Sequence, residues 1–204
     1  MVTRFEASLH GREWTDADFV GGHPALDFLN TVADTGKTRD DDKLVDWATV
    51  RAWAEKSGLL APSDLARFAR HARRDGADEL TALRGFREDA YAAIAYLTSD
   101  ARGGAGARAA DRLAVAIRDA IGRSRFEAAD GRFAWRPDAH AASRWIDAAA
   151  LGFEQLLRTD DFARVRQCTR CTWFFVDRGR GVGRRWCDMR TCGNRAKVEA
   201  FRER

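Results

Sequence analysis

Through most of the chain apolar residues recur every three or four positions, the spacing of one face of an α-helix. Gly21-Gly22 followed by Pro24 reads as a loop entering a helix, because proline suits the first helical turn. Asp34 to Lys43 is polar and reads as an exposed loop. Asp46 is a candidate N-cap for a helix with Trp47, Val50 and Ala54 on one face and Gly58 at its end. Ser63 is placed to cap the next, which carries Leu65, Phe68, Ala69 and Ala72. After an Asp75-Gly76 turn, residues from Leu80 to Leu97 form a long apolar stripe. Residues 98–107, rich in glycine and alanine, read as a flexible linker. Leu113, Ala116, Ile117 and Ile121 mark another helix, and Asp138 is placed to cap a last long one with Trp145, Ala149, Phe153 and Leu156.

Two stretches depart from the helical period. Ser124 to Trp135 alternates around Asp130-Gly131, which predicts a β-hairpin with a tight turn. Thr172-Trp173-Phe174-Phe175-Val176 is strongly β-prone. Gly179, Gly181 and Gly183 supply a turn after it, and Arg184-Arg185-Trp186 reads as the returning arm. A short helix over Arg195–Arg202 is expected after Gly193-Asn194. The fold class is therefore mainly α. A helical N-terminal domain with a short β-hairpin, residues 1–160, precedes a small treble-clef or ribbon-like module, residues 161–204, with Thr159-Asp160-Asp161 as the boundary.

The chain's four cysteines all lie in that second module, as Cys168-x2-Cys171 and Cys187-x4-Cys192. A Cys-x-x-Cys turn aims two thiolates at one point, and a hairpin can return the second pair to it. Four thiolates with no histidine favour a closed, tetrahedral, structural Zn2+ site over a catalytic one. The competing reading is buried free thiols or a redox pair.

Charge separates the same two regions. Residues 162–204 carry 12 Arg/Lys against 4 Asp/Glu, a balance of +8, whereas the remaining residues carry 23 against 27, a balance of −4. Arg178, Arg180, Arg184, Arg185, Arg190, Arg195, Lys197 and Arg202 cannot all be far apart on so small a module. They form a candidate nucleic-acid footprint. A solvated basic face, or arginines paired to the acidic N-terminal region, would use the same residues. Trp173 and Trp186 are read as the small core beside the metal rather than as base-stacking platforms. The richest apolar run, Ala148–Phe153, is far too short to span a bilayer, and no secretory signal follows Met1. A cytoplasmic protein with no membrane partner is expected.

His23, Asp27, Asn30 and Thr31 fall at i, i+4, i+7 and i+8, a polar stripe beside Leu26, Phe28, Leu29 and Val32. Buried polar groups need partners. The stripe is either a ligand-binding pocket for a small polar effector or an internal hydrogen-bond network. His71 and His140 are isolated, and no nucleophile elbow, phosphate loop or dinucleotide fingerprint occurs, so no catalytic residue is assigned. An enzyme working through the His23/Asp27/Asn30 stripe and a protein-interaction module with a purely structural zinc are the alternatives to a nucleic-acid binder.

Arg170–Val176, Arg184-Arg185-Trp186-Cys187-Asp188-Met189 and Cys192-Gly193-Asn194-Arg195-Ala196-Lys197 together resemble the CGNR zinc-finger family. Upstream, Gly22-His23-Pro24-Ala25-Leu26-Asp27-Phe28-Leu29-Asn30-Thr31 is similar to the opening motif of the ABATE domain. The tip Arg178–Gly183 is richer in glycine than the Ser/Asn-rich tip of that family. The resemblance implies a bacterial stress-induced transcription regulator whose finger binds DNA and whose N-terminal domain senses a signal. Homodimerisation would suit such a regulator, since paired half-sites multiply affinity.

Overall fold

In the computed structural model, the described residues are 13–33, 36–99, 103–129, 132–179 and 183–202. Their α-helices are α1 (Pro24–Leu29), α2 (Trp47–Ser57), α3 (Pro62–Ala69), α4 (Ala77–Thr98), α5 (Gly104–Gly122), α6 (Arg144–Leu157) and α7 (Asn194–Arg202). Three antiparallel two-stranded pairs complete them: β1 (Val32–Ala33) with β2 (Asp41–Asp42), β3 (Ser124–Ala129) with β4 (Arg132–Pro137), and β5 (Val165–Gln167) with β6 (Phe174–Val176). The protein is mainly α, as its apolar period requires. None of the described helices is long and apolar enough to cross a membrane.

Short α1 is the axis of the core. Pro24 stands at its first turn, and all of Ala25 to Leu29 is buried. Phe28 packs on Trp53 of α2 at 5.6 Å and on Phe86 of α4 at 6.3 Å between ring centroids. Phe86 in turn meets Phe153 of α6 at 6.1 Å, and Phe68 of α3 meets Trp145 edge-on at 5.0 Å. Five helices thus reach one another through aromatic rings, each of which removes a large apolar area from water.

Several boundaries follow the sequence. Asp46 caps α2 by accepting from Thr49 N, and Gly58 ends that helix at φ +69°, where glycine is unstrained. The β3–β4 register places Phe126 opposite Trp135 and Ala128 opposite Phe133. The Asp130-Gly131 turn itself lies outside the described residues.

Other boundaries move. The expected linker at 98–107 is mostly helix, since α5 begins at Gly104. A side chain at Gly106 would fall 2.7 Å from the Tyr96 ring, so the glycine lets α5 lie close against α4. Residues 100–102 are outside the described set. Ala61, not Ser63, is the N-cap of α3, with Pro62 at its first turn; the Ser63 hydroxyl instead accepts from Arg136 at 2.7 Å. Asp138 does not cap α6, which starts after Ser143; its carboxylate closes a turn with His140 N at 2.9 Å. The expected exposed loop at 34–43 contains β2 and ends on buried Lys43, whose ammonium meets Asp18 at 2.6 Å.

The apolar stripe of α4 also contains a buried cation. Arg87 is 3% exposed and donates to both oxygens of Asp42 (2.9 and 2.8 Å), to Glu88 (2.8 Å) and to Thr31 Oγ1 (3.0 Å). Its position between Leu83 and Ala90 on one helical face was the available sign of burial. Paired charges and full hydrogen bonding are what make such burial tolerable.

Candidate metal centre and its docking joint

The last fifth of the chain is organised by backbone pairing around the cysteines. In the β5–β6 hairpin Arg166 lies opposite Phe175 and Gln167 opposite Phe174. The Cys168-x-x-Cys171 knuckle is therefore the turn of this hairpin, and Cys168 N donates to Trp173 O at 2.8 Å to close it. This corrects the expected pairing. β6 pairs with the segment before the first cysteine, and residues 184–186 form no strand. They are held instead by Thr169 N donating to Arg185 O at 3.0 Å and by Arg184 N donating to the Asp177 carboxylate at 2.9 Å. Asp177 also accepts from Gly179 N at 3.0 Å, so it gathers both arms of the loop. A carboxylate that offers several acceptor sites to backbone N–H groups replaces the ladder that was expected there.

The second cysteine pair rides on a wide turn. Asp188 caps the π-helical turn Met189–Gly193 by accepting from Arg190 N at 3.1 Å, and Gly193 N reaches back to Asp188 O at 3.0 Å. A side chain at Gly193 would fall 2.6 Å from Met189 Sδ and 3.5 Å from the Trp186 ring. The Asn194 amide donates to Arg190 O at 3.3 Å, anchoring the start of α7 to that turn.

These turns bring the four sulfurs of Cys168, Cys171, Cys187 and Cys192 within 4.8 Å of one another, all buried, with Cys171 Sγ and Cys187 Sγ 3.7 Å apart. Sulfurs at about 2.3 Å from a tetrahedral Zn2+ would be about 3.8 Å apart. The donor set and its spacing therefore fit the ion. Crowding divides the protons unevenly. The Cys168 thiol is pulled far down by hydrogen bonds from Cys171 and Cys187, whereas Cys171 and Cys187 are pushed up, chiefly by their bonds to that same sulfur. Four buried thiolates cannot coexist without a cation between them. Phe175 is buried with the sulfurs, and Val20, Trp173 and Trp186 pack half-buried against them.

The N-terminal motif supplies the surface on which this hairpin rests. Asn30 is 1% exposed and uses both ends of its amide on one residue of β6: its Nδ2 donates to Phe174 O and its Oδ1 accepts from Phe174 N, each at 2.9 Å. Gly21 O accepts from Val176 N at 2.8 Å, while Gly21 N donates to Asp27 Oδ1, also at 2.8 Å. A side chain at Gly21 would fall 2.8 Å from Asp27 Oδ1 and 2.9 Å from Leu26 Cβ, so this approach needs glycine. Thr31 donates to Phe28 O at 2.8 Å and accepts from Arg87. His23 caps α1 through Nδ1, which accepts from Ala25 N at 3.2 Å. Asn30 and Thr31 lie just beyond the end of α1, which stops at Leu29, so the stripe continues through a turn rather than along one helix.

Further contacts seal the joint. Trp173 Nε1 donates to Val32 O at 2.7 Å, and the Lys43 ammonium lies 4.7 Å from that ring. Lys37 reaches Thr169 O at 2.9 Å, and Gln167 reaches the Tyr91 hydroxyl at 2.7 Å. Arg178 bonds to Gly22 O at 3.1 Å and to Asp161 at 2.5 Å. Nothing in the spacing of these residues pointed to a joint; it exists only once β6 lies beside α1.

The basic residues separate into two groups. Arg170, with Glu199, and Arg178, with Asp161, are engaged within the chain. The Arg184 guanidinium stacks over Phe175 at 4.4 Å, and Arg185 lies 5.3 Å from the Trp186 ring. Arg190 is far out in solvent, 3.8 Å from Asp188 at its nearest. On α7, Arg195, Lys197 and Arg202 are exposed and make no ion pair with any described residue. Arg180 lies outside the described residues.

Burial pushes the Asp27 carboxyl up to about 7, against the opposing pull of the Gly21 N–H. The folded chain then keeps a proton that the unfolded chain releases near its ordinary value of 3.8. Stability should fall as pH rises from about 4 to about 7, by about 2–4 kcal/mol, and level off above. Asp27→Asn, which retains an acceptor for Gly21, should flatten that part of the profile; urea melts of both proteins across this range check it. Asn30→Ala would orphan a buried N–H and a buried C=O of Phe174. It should cost about 2–4 kcal/mol, read as a lower urea midpoint at unchanged slope.

Comparison with known families finds two matches, which overlap at residues 164–168. Residues 22–168 match the ABATE family, described as "Putative stress-induced transcription regulator". Residues 164–204 match the CGNR zinc finger. Comparison with curated proteins finds no match. Neither family description is that of an enzyme. The chain belongs to the ABATE family and ends in a CGNR zinc finger that carries the four-cysteine cluster.

Proposed function

We propose that this chain is a DNA-binding transcription regulator, in which residues 161–204 contact the duplex and residues 1–160 respond to a signal. The observation that carries this reading is the exposed cationic side of the finger. Arg195, Lys197 and Arg202 stand exposed on α7 without acidic partners among the described residues, and Arg184, Arg185 and Arg190 are exposed earlier in the same module. Unpaired arginines on a compact module attract phosphates, and release of condensed counterions makes the affinity fall steeply with salt. Helix α7 has no buried residue of its own and is free to approach a groove.

In this reading Cys168, Cys171, Cys187 and Cys192 hold a structural Zn2+, which supplies fold energy and leaves no position open for substrate. Structural zinc contributes about 10–16 kcal/mol of apparent binding free energy near neutral pH. The protein does not act as an enzyme. His23, Asp27, Asn30 and Thr31 serve as the joint that seats the finger rather than as an open effector pocket; the support is that each polar head already has a partner within the chain. A second reading, in which α7 docks on another protein, is favoured by the exposure of Val198 (49%) and Phe201 (80%) on that helix.

The full chain should take up one equivalent of Zn2+, and a Cys187→Ser variant should bind it far more weakly. Chelation should expose Trp173 and Trp186 and shift tryptophan emission to the red. A Cys187→Ser protein that kept zinc with wild-type affinity would remove the ion from this site. The zinc-loaded chain should bind a mixed-sequence duplex in fluorescence anisotropy with an affinity that drops as salt rises. Arg184→Glu/Arg185→Glu should weaken binding and lower the log–log salt slope by about 2. Absence of salt-dependent binding to any duplex, or indifference to that charge reversal, contradicts DNA contact. Association with a protein partner that persists at high salt would point to the second reading.

A further inference from the structure

Away from the finger, a cleft of about 700 Å³ opens between the β3–β4 hairpin, the α2–α3 turn and α6. That size is within the range of small-molecule sites. Its apolar wall is an aromatic ladder on one face of the hairpin. Phe133 lies 5.3 Å from Phe126, and Phe126 lies 4.8 Å from Trp135, measured between ring centroids. Trp135 is tucked against Leu151 of α6, but Phe126 and Phe133 are 56% and 68% exposed. The floor is closed where Leu59 presses on α6, so tightly that a side chain at Gly152 would fall 2.7 Å from Leu59 Cδ1.

The charges around this cleft settle what it can hold. Asp64 is buried at its edge and is met by Arg67 at 2.9 Å and by Arg136 at 3.5 Å. Arg136 also donates to Ser63 at 2.7 Å. At the other lip Glu154 pairs with Arg158 at 2.5 Å. Each charged group lining the cleft is thus compensated from within the chain, by arginines around buried Asp64 on one side and by the surface Glu154–Arg158 pair on the other. What remains without a partner is aromatic and aliphatic surface, with the neutral amide of Gln155 at the rim.

We propose that this cleft binds an uncharged, flat, largely aromatic small molecule that stacks on Phe126 and Phe133. Rings stacked with an offset gain more than the area they bury. The two carboxylates of the lining, Asp64 and Glu154, are each held by arginine, and the proposal is one of binding. Helix α6, which lines the cleft, ends at Leu157, four residues before Asp161, the residue that pairs with Arg178 of the finger.

The test uses the zinc-loaded full chain and the neutral planar dye Nile red, with light scattering run in parallel. Saturable fluorescence enhancement at one dye per monomer is expected. It should weaken about tenfold in Phe126→Ala/Phe133→Ala, whose two side chains are largely exposed and whose loss should leave the fold intact. Gln155→Trp, which places an indole at the rim, should also reduce binding, and Arg158→Gln should leave it nearly unchanged because the ligand carries no charge. Dye binding that is absent, does not saturate, or survives both the double and the Gln155→Trp substitutions overturns the proposal. A dimer that dissociates in Phe126→Ala/Phe133→Ala also overturns it, by assigning the ladder to a second copy. The readout is independent of DNA, so failure here leaves the regulator reading standing.

Discussion

Strand β6 must find partners for backbone groups that β5 does not satisfy, and this requirement ties the protein together. The hairpin has three residues per arm, too few to stand alone. The N–H and C=O of Phe174 and the N–H of Val176 end on Asn30 and Gly21, about 150 residues earlier in the chain. A buried peptide group without a partner costs about as much as a lost hydrogen bond, so these three contacts specify where the hairpin lies as well as holding it there. The cysteine knuckle is the turn of that hairpin. Hence the metal centre and the N-terminal helix are positioned by one set of bonds.

This arrangement gives the opening motif a structural logic. Pro24 starts α1 at the point where Gly21 must turn toward both Asp27 and Val176. Asn30 ends α1 where its amide can imitate a neighbouring strand. Thr31 hands the polar run on to Arg87, whose charge is met by Asp42 on the short β2. A polar stripe that would be a liability in an apolar core becomes a relay, from the finger through α1 to the middle of α4. The charge of Arg178 has the same role on the other side, through Asp161 and Gly22. Part of the finger's basic surplus is therefore structural, and the residues left for a polyanion are concentrated on α7 and its approaches.

Local features were legible wherever a short-range rule sufficed. The four-cysteine spacing announced a metal centre. The Asp46 cap, the Gly58 stop, the Pro24 start and the β3–β4 hairpin follow from residues within a few positions of one another. Misreadings arose where a group took a partner other than the one its local rule assigns. The glycines at 103–106 look like linker until Tyr96 is seen against Gly106. The arm at 184–186 looks like a strand until Asp177 claims its backbone. Asp138 looks like a helix cap, but it is spent on the preceding turn.

The sequence by itself determined the helical class, the thiol cluster and the concentration of positive charge at one end, because each depends on spacing or composition alone. Only the tertiary structure decided that β6 pairs backward onto β5, that Asn30 grips it, and that Arg170 and Arg178 are engaged within the chain while Arg195, Lys197 and Arg202 have no acidic partner among the described residues. It also decided that aromatic residues of the hairpin and apolar residues of α6 enclose a common cleft. The physical reason is the same in each case. A polar group or an apolar face has several admissible partners in the sequence, and burial selects one of them only when the whole core has closed.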